Sequence, residues 1–275
     1  MRIVRTALII VFILSLGTFG ISELLEMQNQ DTTLPEITSD REVLEISCDY
    51  TEEDLLAGLS AYDETDGDLT SQIIPGSFSR FIEDGVCNLT YVVFDSSDQP
   101  ASLTRRVQFT DYHSPRFTLS QPLVFAVQEG SYTEAMNRLG ADDMLDGDRD
   151  DWIVQTDTDV NYQTEGSYTM TVEVSNSFGD VSTAALPVHV VNPERQNLTV
   201  SLSAAIVYIG VGENVDPDAY VAGVTDAEGD SLDTDIVSAS SNVDPETPGC
   251  YEIHYQASDG DGQSGENWLT VIVEG

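Results

Sequence analysis

An acidic turn with a central glycine occurs three times in this chain at almost constant spacing. The central glycines, Gly67, Gly147 and Gly229, stand 80 and 82 residues apart. Each turn follows a short helix-like stretch and precedes a second glycine that begins an alternating apolar stretch. Self-similarity at a fixed period indicates one folding unit repeated in tandem. We therefore predict three similar units of about 80 residues each.

The alternating stretches predict one long strand in each unit. They begin at Gly85, Gly166 and Gly249, and apolar residues at every second position are typical of a strand with one buried face. The predicted inward positions are Cys87, Leu89, Tyr91 and Val93 in the first copy, Tyr168, Met170, Val172 and Val174 in the second, and Tyr251, Ile253, Tyr255 and Ala257 in the third.

A single helical turn is predicted before each acidic turn. Thr51, Thr133 and Asp216 stand where a side-chain oxygen can cap the first free backbone N–H groups of such a turn. These turns are too short to add a helical layer, so the strands decide the fold class.

Short strands joined by Gly, Asp, Ser and Pro turns favour an all-β protein. We expect three tandem immunoglobulin-like antiparallel β-sandwiches after an N-terminal hydrophobic helix. The predicted divisions are 1–22 as a signal peptide or membrane anchor, 23–33 as a linker, and 34–112, 113–192 and 193–275 as the first, second and third repeats.

Three motifs carry a family resemblance. They are PEIT from Pro35, DGDLT from Asp66, and a glycine strand of the form GxYxxxYxxxD, seen from Gly249 to Asp259. Together they resemble bacterial immunoglobulin-like surface repeats, which also occur in some insecticidal crystal proteins, and the first repeat carries the best match. The resemblance implies a non-catalytic spacer or adhesion protein at the cell surface.

The N-terminus predicts export. Arg2 and Arg5 precede an uncharged, largely apolar run from Thr6 to Ser22, and Glu23 ends that run. The length of the run lies between a signal-peptide core and a minimal membrane span, so it is either a cleaved leader or an anchor. In both cases the rest of the chain is expected outside the cell membrane, with the N-terminal segment as its only membrane contact.

The charge of the chain limits its partners. There are 49 acidic and 10 basic residues, and the formal net charge is −39. Such a charge repels phosphate backbones and anionic lipid surfaces, so nucleic acid is excluded as a partner. We expect another cell-surface or extracellular protein, or a glycan.

Three cysteines leave at least one thiol outside any intramolecular bridge. Cys48 and Cys87 both take inward strand positions in the first repeat, which predicts a disulfide bond between them, with two buried thiols as the alternative. Cys250 falls one position off the inward register. We expect it to be exposed, as an intermolecular bridge or an idle thiol.

The acidic loops are the candidate site, because calcium requires several oxygen ligands. In an immunoglobulin-like topology, the turn after the second strand and the turn after the glycine strand share one end of the sandwich. The alternative is that Asp and Gly serve the turns themselves. The predicted calcium ligands are Asp63, Asp66, Asp68 and Asp95 in the first repeat, Asp142, Asp146 and Asp148 in the second, and Asp226, Asp230, Asp259 and Asp261 in the third.

No motif for catalysis is present in the sequence, so we expect no catalytic residue and no enzyme. His189 and His254 occupy outward strand positions, and His113 lies in a joint between repeats. Trp152 and Trp268 are the candidates for stacking on sugars in the alternative function, a carbohydrate-binding or other ligand-binding accessory module. A single tryptophan in a sandwich is also a common core residue.

Overall fold

The computed structural model describes residues 2–28 and 32–275. Helix α1 (Arg2–Gln28) continues past Glu23, where its end was predicted. The predicted linker of residues 23–33 is thus helical up to residue 28, and residues 29–31 lie outside the described part. Within the described residues, no helix has both the length and the apolar character that crossing a membrane requires. Cleavage or retention of the leader stays a prediction.

Seven strands follow in each of the three predicted repeats, counted over the described residues. Those of the first are β1 (Glu36–Ser39), β2 (Val43–Ile46), β3 (Leu59–Asp63), β4 (Gly67–Asp68), β5 (Ile74–Phe78), β6 (Val86–Phe94) and β7 (Pro100–Phe109). Those of the second are β8 (Arg116–Leu119), β9 (Val124–Ala126), β10 (Leu139–Asp143), β11 (Gly147–Asp148), β12 (Val154–Thr158), β13 (Gly166–Ser175) and β14 (Val181–Val191). Those of the third are β15 (Thr199–Leu202), β16 (Ile206–Gly210), β17 (Val221–Thr225), β18 (Ser231–Leu232), β19 (Val237–Ser241), β20 (Gly249–Ser258) and β21 (Ser264–Glu274).

The strand order is the same in all three predicted repeats. A three-stranded sheet is ordered β1-β3-β4, β8-β10-β11 or β15-β17-β18, and a four-stranded sheet is ordered β2-β7-β6-β5, β9-β14-β13-β12 or β16-β21-β20-β19. The prediction of antiparallel sheets is wrong at one pairing in each predicted repeat, because β2 and β7 run parallel, as do β9 with β14 and β16 with β21. The reason is that the second strand of each repeat leaves the sheet of the first strand and lies beside the last strand.

Helical turns connect the strands. Helix α2 (Glu52–Leu56) begins at the predicted cap Thr51, whose side chain accepts from the Asp54 backbone N–H. Helix α3 (Tyr132–Arg138) is capped by Ser131 instead of the predicted Thr133, which lies inside its first turn. Short 3-10 turns complete the described elements, at Thr70–Gln72, Asp150–Trp152, Pro193–Arg195, Pro217–Tyr220 and Thr234–Ile236, and Asp216 caps the fourth of these as predicted.

The apolar cores of the second and third predicted repeats draw on both of their sheets. In the second repeat, Phe117 and Ala141 of the three-stranded sheet belong to one buried cluster with Val172 and Leu186 of the four-stranded sheet. The third repeat has a corresponding cluster. The predicted inward register of the glycine strands β6, β13 and β20 is confirmed, since its members are buried except for Tyr168 and Tyr251, which are half-buried.

The chain divides into two compact units, residues 1–110 and 111–275. Tyr112 lies in the second of these units, where its hydroxyl donates to Asp180 Oδ2 at 2.6 Å. Burial, reinforced by that carboxylate, raises the pKa of Tyr112 above its usual value. The division of residues 113–275 into two repeats stays a prediction.

An aromatic stack joins the second and third repeats within the 111–275 unit. Trp268 lies between His189, at 4.0 Å between ring centroids, and His254, at 4.2 Å, with both histidine rings nearly parallel to the indole. His189 Nε2 contacts Glu252 Oε2 at 2.8 Å, and His254 Nε2 contacts Glu266 Oε2 at 2.9 Å. His189 faces away from its own core as predicted, yet it is only 3% exposed because the third repeat covers it.

The same joint corrects the prediction for Cys250. Its side chain is half-buried and packs with Ile272 against the core cluster of the second repeat. Position in the strand register alone predicted exposure, but the outward face of β20 at this point is covered by the neighbouring repeat. The half-buried thiol therefore belongs to the joint.

The predicted disulfide bond is corrected as well, since the structure does not join Cys48 to Cys87. Strand β7 lies between β6, which carries Cys87, and β2, which ends two residues before Cys48. Strands β2 and β6 are thus two strand spacings apart, about 9.5 Å, whereas a disulfide requires Cα atoms within about 7 Å. A shared face of one sheet is therefore not sufficient for a bridge.

Two thiols are expected to resist modification in the folded protein. Burial raises the pKa of Cys87 from 9.0 to about 11, and burial followed by the Glu252 carboxylate raises the pKa of Cys250 to about 12. Because the pKa of each thiol is higher in the folded chain than in the unfolded one, the protonated thiols favour the folded state. Their contribution to the free energy of unfolding is complete below pH 9.0 and is lost as the pH rises through 11 to 12. Alkylation at pH 8, mapped by mass spectrometry, should be slower than in the denatured chain by about 100-fold at Cys87 and by about 1000-fold at Cys250. Equal labelling rates in the folded and denatured chains would refute this prediction.

Candidate functional site at the acidic loops

Two loops meet at one end of the first repeat, as predicted. The first loop, between β3 and β4, follows Asp63 and contains Asp66, and the second, between β6 and β7, contains Asp95. Asp66 Oδ2 accepts from the Ser96 backbone N–H at 2.8 Å, which ties one loop to the other. Each buried acid thus lies where a strand ends, at the same end of the repeat.

Asp63 is only 1% exposed and lies at the end of β3. Its Oδ1 accepts from the backbone N–H groups of Thr65 at 2.7 Å and Asp66 at 3.0 Å, so this oxygen closes the turn. Its Oδ2 is buried and has no hydrogen-bond partner among the described residues. A buried polar atom without a partner costs free energy, so this oxygen requires an explanation.

Asp95 is the second buried acid of this end of the repeat. Its Oδ1 accepts from the backbone N–H groups of Ser97 at 2.8 Å and Gln99 at 2.7 Å. The Gln99 side-chain amide donates to Asp95 Oδ2 at 3.1 Å and to the Thr33 carbonyl at 2.9 Å. The Thr33 hydroxyl in turn donates to Asp63 Oδ1 at 3.3 Å, so a chain of hydrogen bonds connects the two acids.

The second repeat has the same arrangement with different chemistry. Asp143, at the end of β10, uses Oδ1 for the backbone N–H groups of its turn, as Asp63 does. Its Oδ2 accepts from the Asn176 side-chain amide at 3.0 Å, and the same amide nitrogen also donates to the Tyr112 hydroxyl at 2.9 Å. Asn176 stands ten residues after Gly166, as Asp95 stands ten after Gly85. Every buried oxygen of Asp143 therefore has a donor.

A cation is also built into the second repeat. Asp146 accepts from the Ser177 backbone N–H at 2.6 Å, which repeats the loop-to-loop contact of Asp66, and Arg149 lies 3.5 Å from its Oδ2. The first repeat has Leu69 at the position of Arg149, counted from the glycine of the turn. Within the described residues, no arginine forms an ion pair with Asp63, Asp66 or Asp95.

The third repeat lacks the first buried acid, since Thr225 ends the equivalent strand β17. Asp226 falls one position later, and its Oδ1 accepts from the backbone N–H groups of Glu228 and Asp230. Asp259 likewise accepts from those of Asp261 and Gln263. These carboxylates stabilise turns in the way typical of aspartate.

The predicted calcium ligands thus have different positions. Asp63, Asp66 and Asp95 gather at one end of the first repeat. Asp68 and Asp148 accept from nearby backbone N–H groups, Asp142 is exposed while its neighbour Asp143 takes the buried position, and Asp230 and Asp261 are exposed. No group of three or more acidic, histidine or cysteine side chains in the described residues is placed to hold one metal ion. Asp143 was missed, although it stands four residues before Gly147 just as Asp63 stands before Gly67.

The two candidate sugar-stacking residues differ in how far their rings are exposed to solvent. Trp268 is enclosed by the two histidines of the joint, so neither face of its indole is open to a ligand. Trp152 is 58% exposed, and the Arg149 guanidinium lies 4.4 Å from its ring centroid. Only Trp152 of the pair is therefore accessible from solvent.

Comparison with known proteins supports the resemblance. The chain is 28% identical over 225 residues to pesticidal crystal protein Cry22Aa of Bacillus thuringiensis, covering 79% of this chain and 30% of that protein. It is 24% identical over 229 residues to an uncharacterized 81.3 kDa protein of Acholeplasma phage L2, covering 80% and 31%. The chain therefore spans about a third of the length of these relatives.

A solved structure of CBM51-2 in complex with GlcNAc and INT domains from Clostridium perfringens ZmpB aligns with 55% of this chain and 26% of its own. The sequence identity is 19% and the TM-score is 0.23, which is too low to support an inference about ligand or fold.

The family match falls within the third repeat, although the first repeat carries the most complete motifs. Residues 204–273 match the family described as "Bacterial surface protein, Ig-like domain", which confirms the resemblance that the repeat motifs predicted.

Proposed function

We propose that this chain is an exported, non-catalytic surface protein in which three tandem immunoglobulin-like sandwiches act as a spacer or adhesion module. The observation that carries the proposal is the match of residues 204–273 to a bacterial surface domain family, in a chain whose other two repeats have the same strand order. The expected partner is another surface or extracellular protein, or a glycan.

The contacts that two histidines make within the protein favour a non-catalytic role. His189 and His254 use their ring faces against Trp268 and their Nε2 atoms on glutamates. Proton transfer requires a base within hydrogen-bond reach of a bound substrate. These two histidines instead hold the joint between repeats.

This proposal includes no calcium site in the second or the third repeat. Asn176 and Arg149 already satisfy the acids of the second repeat, and the third has Thr225 in place of the first buried acid.

Surface labelling of intact cells tests the proposal. An antibody raised against the repeats should label intact cells of the organism that encodes the chain, and lysis should increase the signal only slightly. Labelling that appears only after lysis would contradict a surface location. An intracellular protein detected by its own antibody in the same samples is the control.

The exposed indole of Trp152 supports a second candidate function, glycan binding. In that case a glycan array should show saturable binding by the full chain, and Trp152→Ala should reduce it at least tenfold, since stacking on an aromatic ring contributes about 1.4 kcal/mol or more. Tyr132→Ala, at another exposed aromatic residue of the same repeat, is the matched control. Binding that survives Trp152→Ala would exclude this surface.

A further inference from the structure

The end of the first repeat carries an uncompensated negative charge. Asp63 and Asp95 are buried, and Asp66 is tied to the same two loops by its bond to Ser96. Backbone N–H groups satisfy one oxygen of each buried carboxylate, but no positively charged side chain of the described residues pairs with any of the three. Buried charges are normally paired or bound to metal ions.

The second repeat shows what is missing from the first. There, the Asn176 amide meets Asp143 Oδ2 at 3.0 Å, and Arg149 lies beside Asp146. In the first repeat the amide is replaced by the carboxylate of Asp95, and the arginine by Leu69. Four positions after Asp95, Gln99 stands where the second repeat has Asp180, so both ends carry three carboxylates. The first repeat lacks the positive charge of Arg149 and a donor to Asp63 Oδ2.

The direction of the orphaned oxygen follows from the same comparison. Asp63 Oδ1 makes the same two turn contacts as Asp143 Oδ1, so Asp63 Oδ2 occupies the place of the oxygen that faces position 176. Position 95 corresponds to position 176. The buried oxygen without a partner therefore faces the second carboxylate.

We propose that the first repeat binds a calcium ion between Asp63 Oδ2 and Asp95. Calcium prefers carboxylate, carbonyl and water oxygens, and the ion would supply the charge that Arg149 supplies in the second repeat. Since no three acidic side chains of the described residues converge on one point, the ion keeps several waters. Affinity is then in the range of extracellular modules, with Kd about 0.1 to 1 mM. This site goes beyond the proposed surface role and does not depend on it.

Calcium titration of the full chain tests the site, with thermal melting followed by circular dichroism at constant ionic strength. The melting of the unit of residues 1–110 should rise by about 5 °C at ten times Kd. Isothermal titration calorimetry should give one bound ion per chain. No calcium-dependent shift, or an equal shift with sodium chloride at matched ionic strength, would overturn the proposal, since the latter indicates diffuse screening of the net charge.

Asp95→Asn gives the sharper test, because it installs the amide of the second repeat. The new amide can donate to Asp63 Oδ2, while the Gln99 side-chain amide loses Asp95 Oδ2 as an acceptor. The variant should show no calcium-dependent shift. Asp98→Asn removes the same charge at an exposed position of the same loop and should respond to calcium like the wild type. Retention of the calcium shift by Asp95→Asn, or its loss in Asp98→Asn, would overturn the site. Should Asp95→Asn fail to fold, Asp63→Asn must abolish the single calorimetric site.

Discussion

Trp268→Ala is expected to lower the free energy of unfolding of the 111–275 unit by about 3 kcal/mol, near the lower end for removal of a large buried aromatic side chain. The indole is 9% exposed and fills the space between His189 and His254. Its removal leaves a cavity at the joint and separates the two stacked imidazoles. One histidine lies in the second repeat and the other in the third. Removal of the indole should therefore also make the unfolding of these two repeats less cooperative.

Denaturant unfolding followed by far-ultraviolet circular dichroism measures this effect without depending on tryptophan fluorescence. Trp152→Ala is the control, since the same side chain is removed at a site that is 58% exposed, and its expected loss is below about 1 kcal/mol. Equal losses in the two variants would show that the stack contributes nothing beyond ordinary surface packing.

Arg105→Ala is expected to destabilise the unit of residues 1–110 by about 3 kcal/mol. Arg105 is 2% exposed on β7, and its guanidinium donates to the carbonyls of Leu55 at 2.7 Å and Ala57 at 2.8 Å and to the Tyr91 hydroxyl at 2.9 Å. These carbonyls lie at the end of helix α2, where backbone acceptors have no partner within the helix. Truncation leaves them buried without the charged donor.

The neighbouring Arg106 provides a matched control. Its side chain is 45% exposed and pairs with Glu83 at 3.4 Å, and Arg106→Ala should change stability by less than about 1 kcal/mol. Arg105→Met separates packing from hydrogen bonding, because it keeps most of the volume without any donor, and an intermediate loss is expected. Wild-type stability in Arg105→Met would show that the bonds to the carbonyls are not needed.

The second repeat explains why a buried arginine is not required by the fold. Its strand β13 has Val172 at the position of Tyr91, and β14 has Leu186 at the position of Arg105, and both are fully buried. Replacement of a buried polar group by a well-packed apolar set can be neutral, whereas removal of one partner is costly. The contribution of Arg105 to the free energy of unfolding therefore depends on the nearby backbone carbonyls and on Tyr91.

The strands were predictable because their signal is local. The alternation after Gly85, Gly166 and Gly249 revealed the buried face of each glycine strand, and Thr51 and Asp216 were correctly placed as caps. The parallel pairing of β2 with β7 was not predictable, because pairing between the second and last strands leaves no periodicity in either one. The Cys48–Cys87 prediction failed for the same reason.

Contacts between repeats could not be predicted from the sequence either. His189 and Cys250 stand at outward positions in their own repeats, and only the neighbouring repeat makes them buried or half-buried. The acidic site was half predictable: the meeting of the two loops followed from topology, but the turn contacts that occupy most carboxylates did not. Alignment on the turn glycines would have revealed Asp143 and the exchange of Asn176 for Asp95.

The position of the last strand has a consequence for how each repeat is made. Strand β7 lies between β2 and β6, and Val43 of β2 pairs with Arg106 of β7, more than sixty positions further along the chain. As a ribosome releases the chain from its N-terminus, β2 finds no neighbour in its sheet until the final strand of that repeat has emerged. Such distant pairings place folding in the slower range for small domains, about milliseconds to seconds. Each repeat should therefore acquire its structure in one late step after its own synthesis is complete.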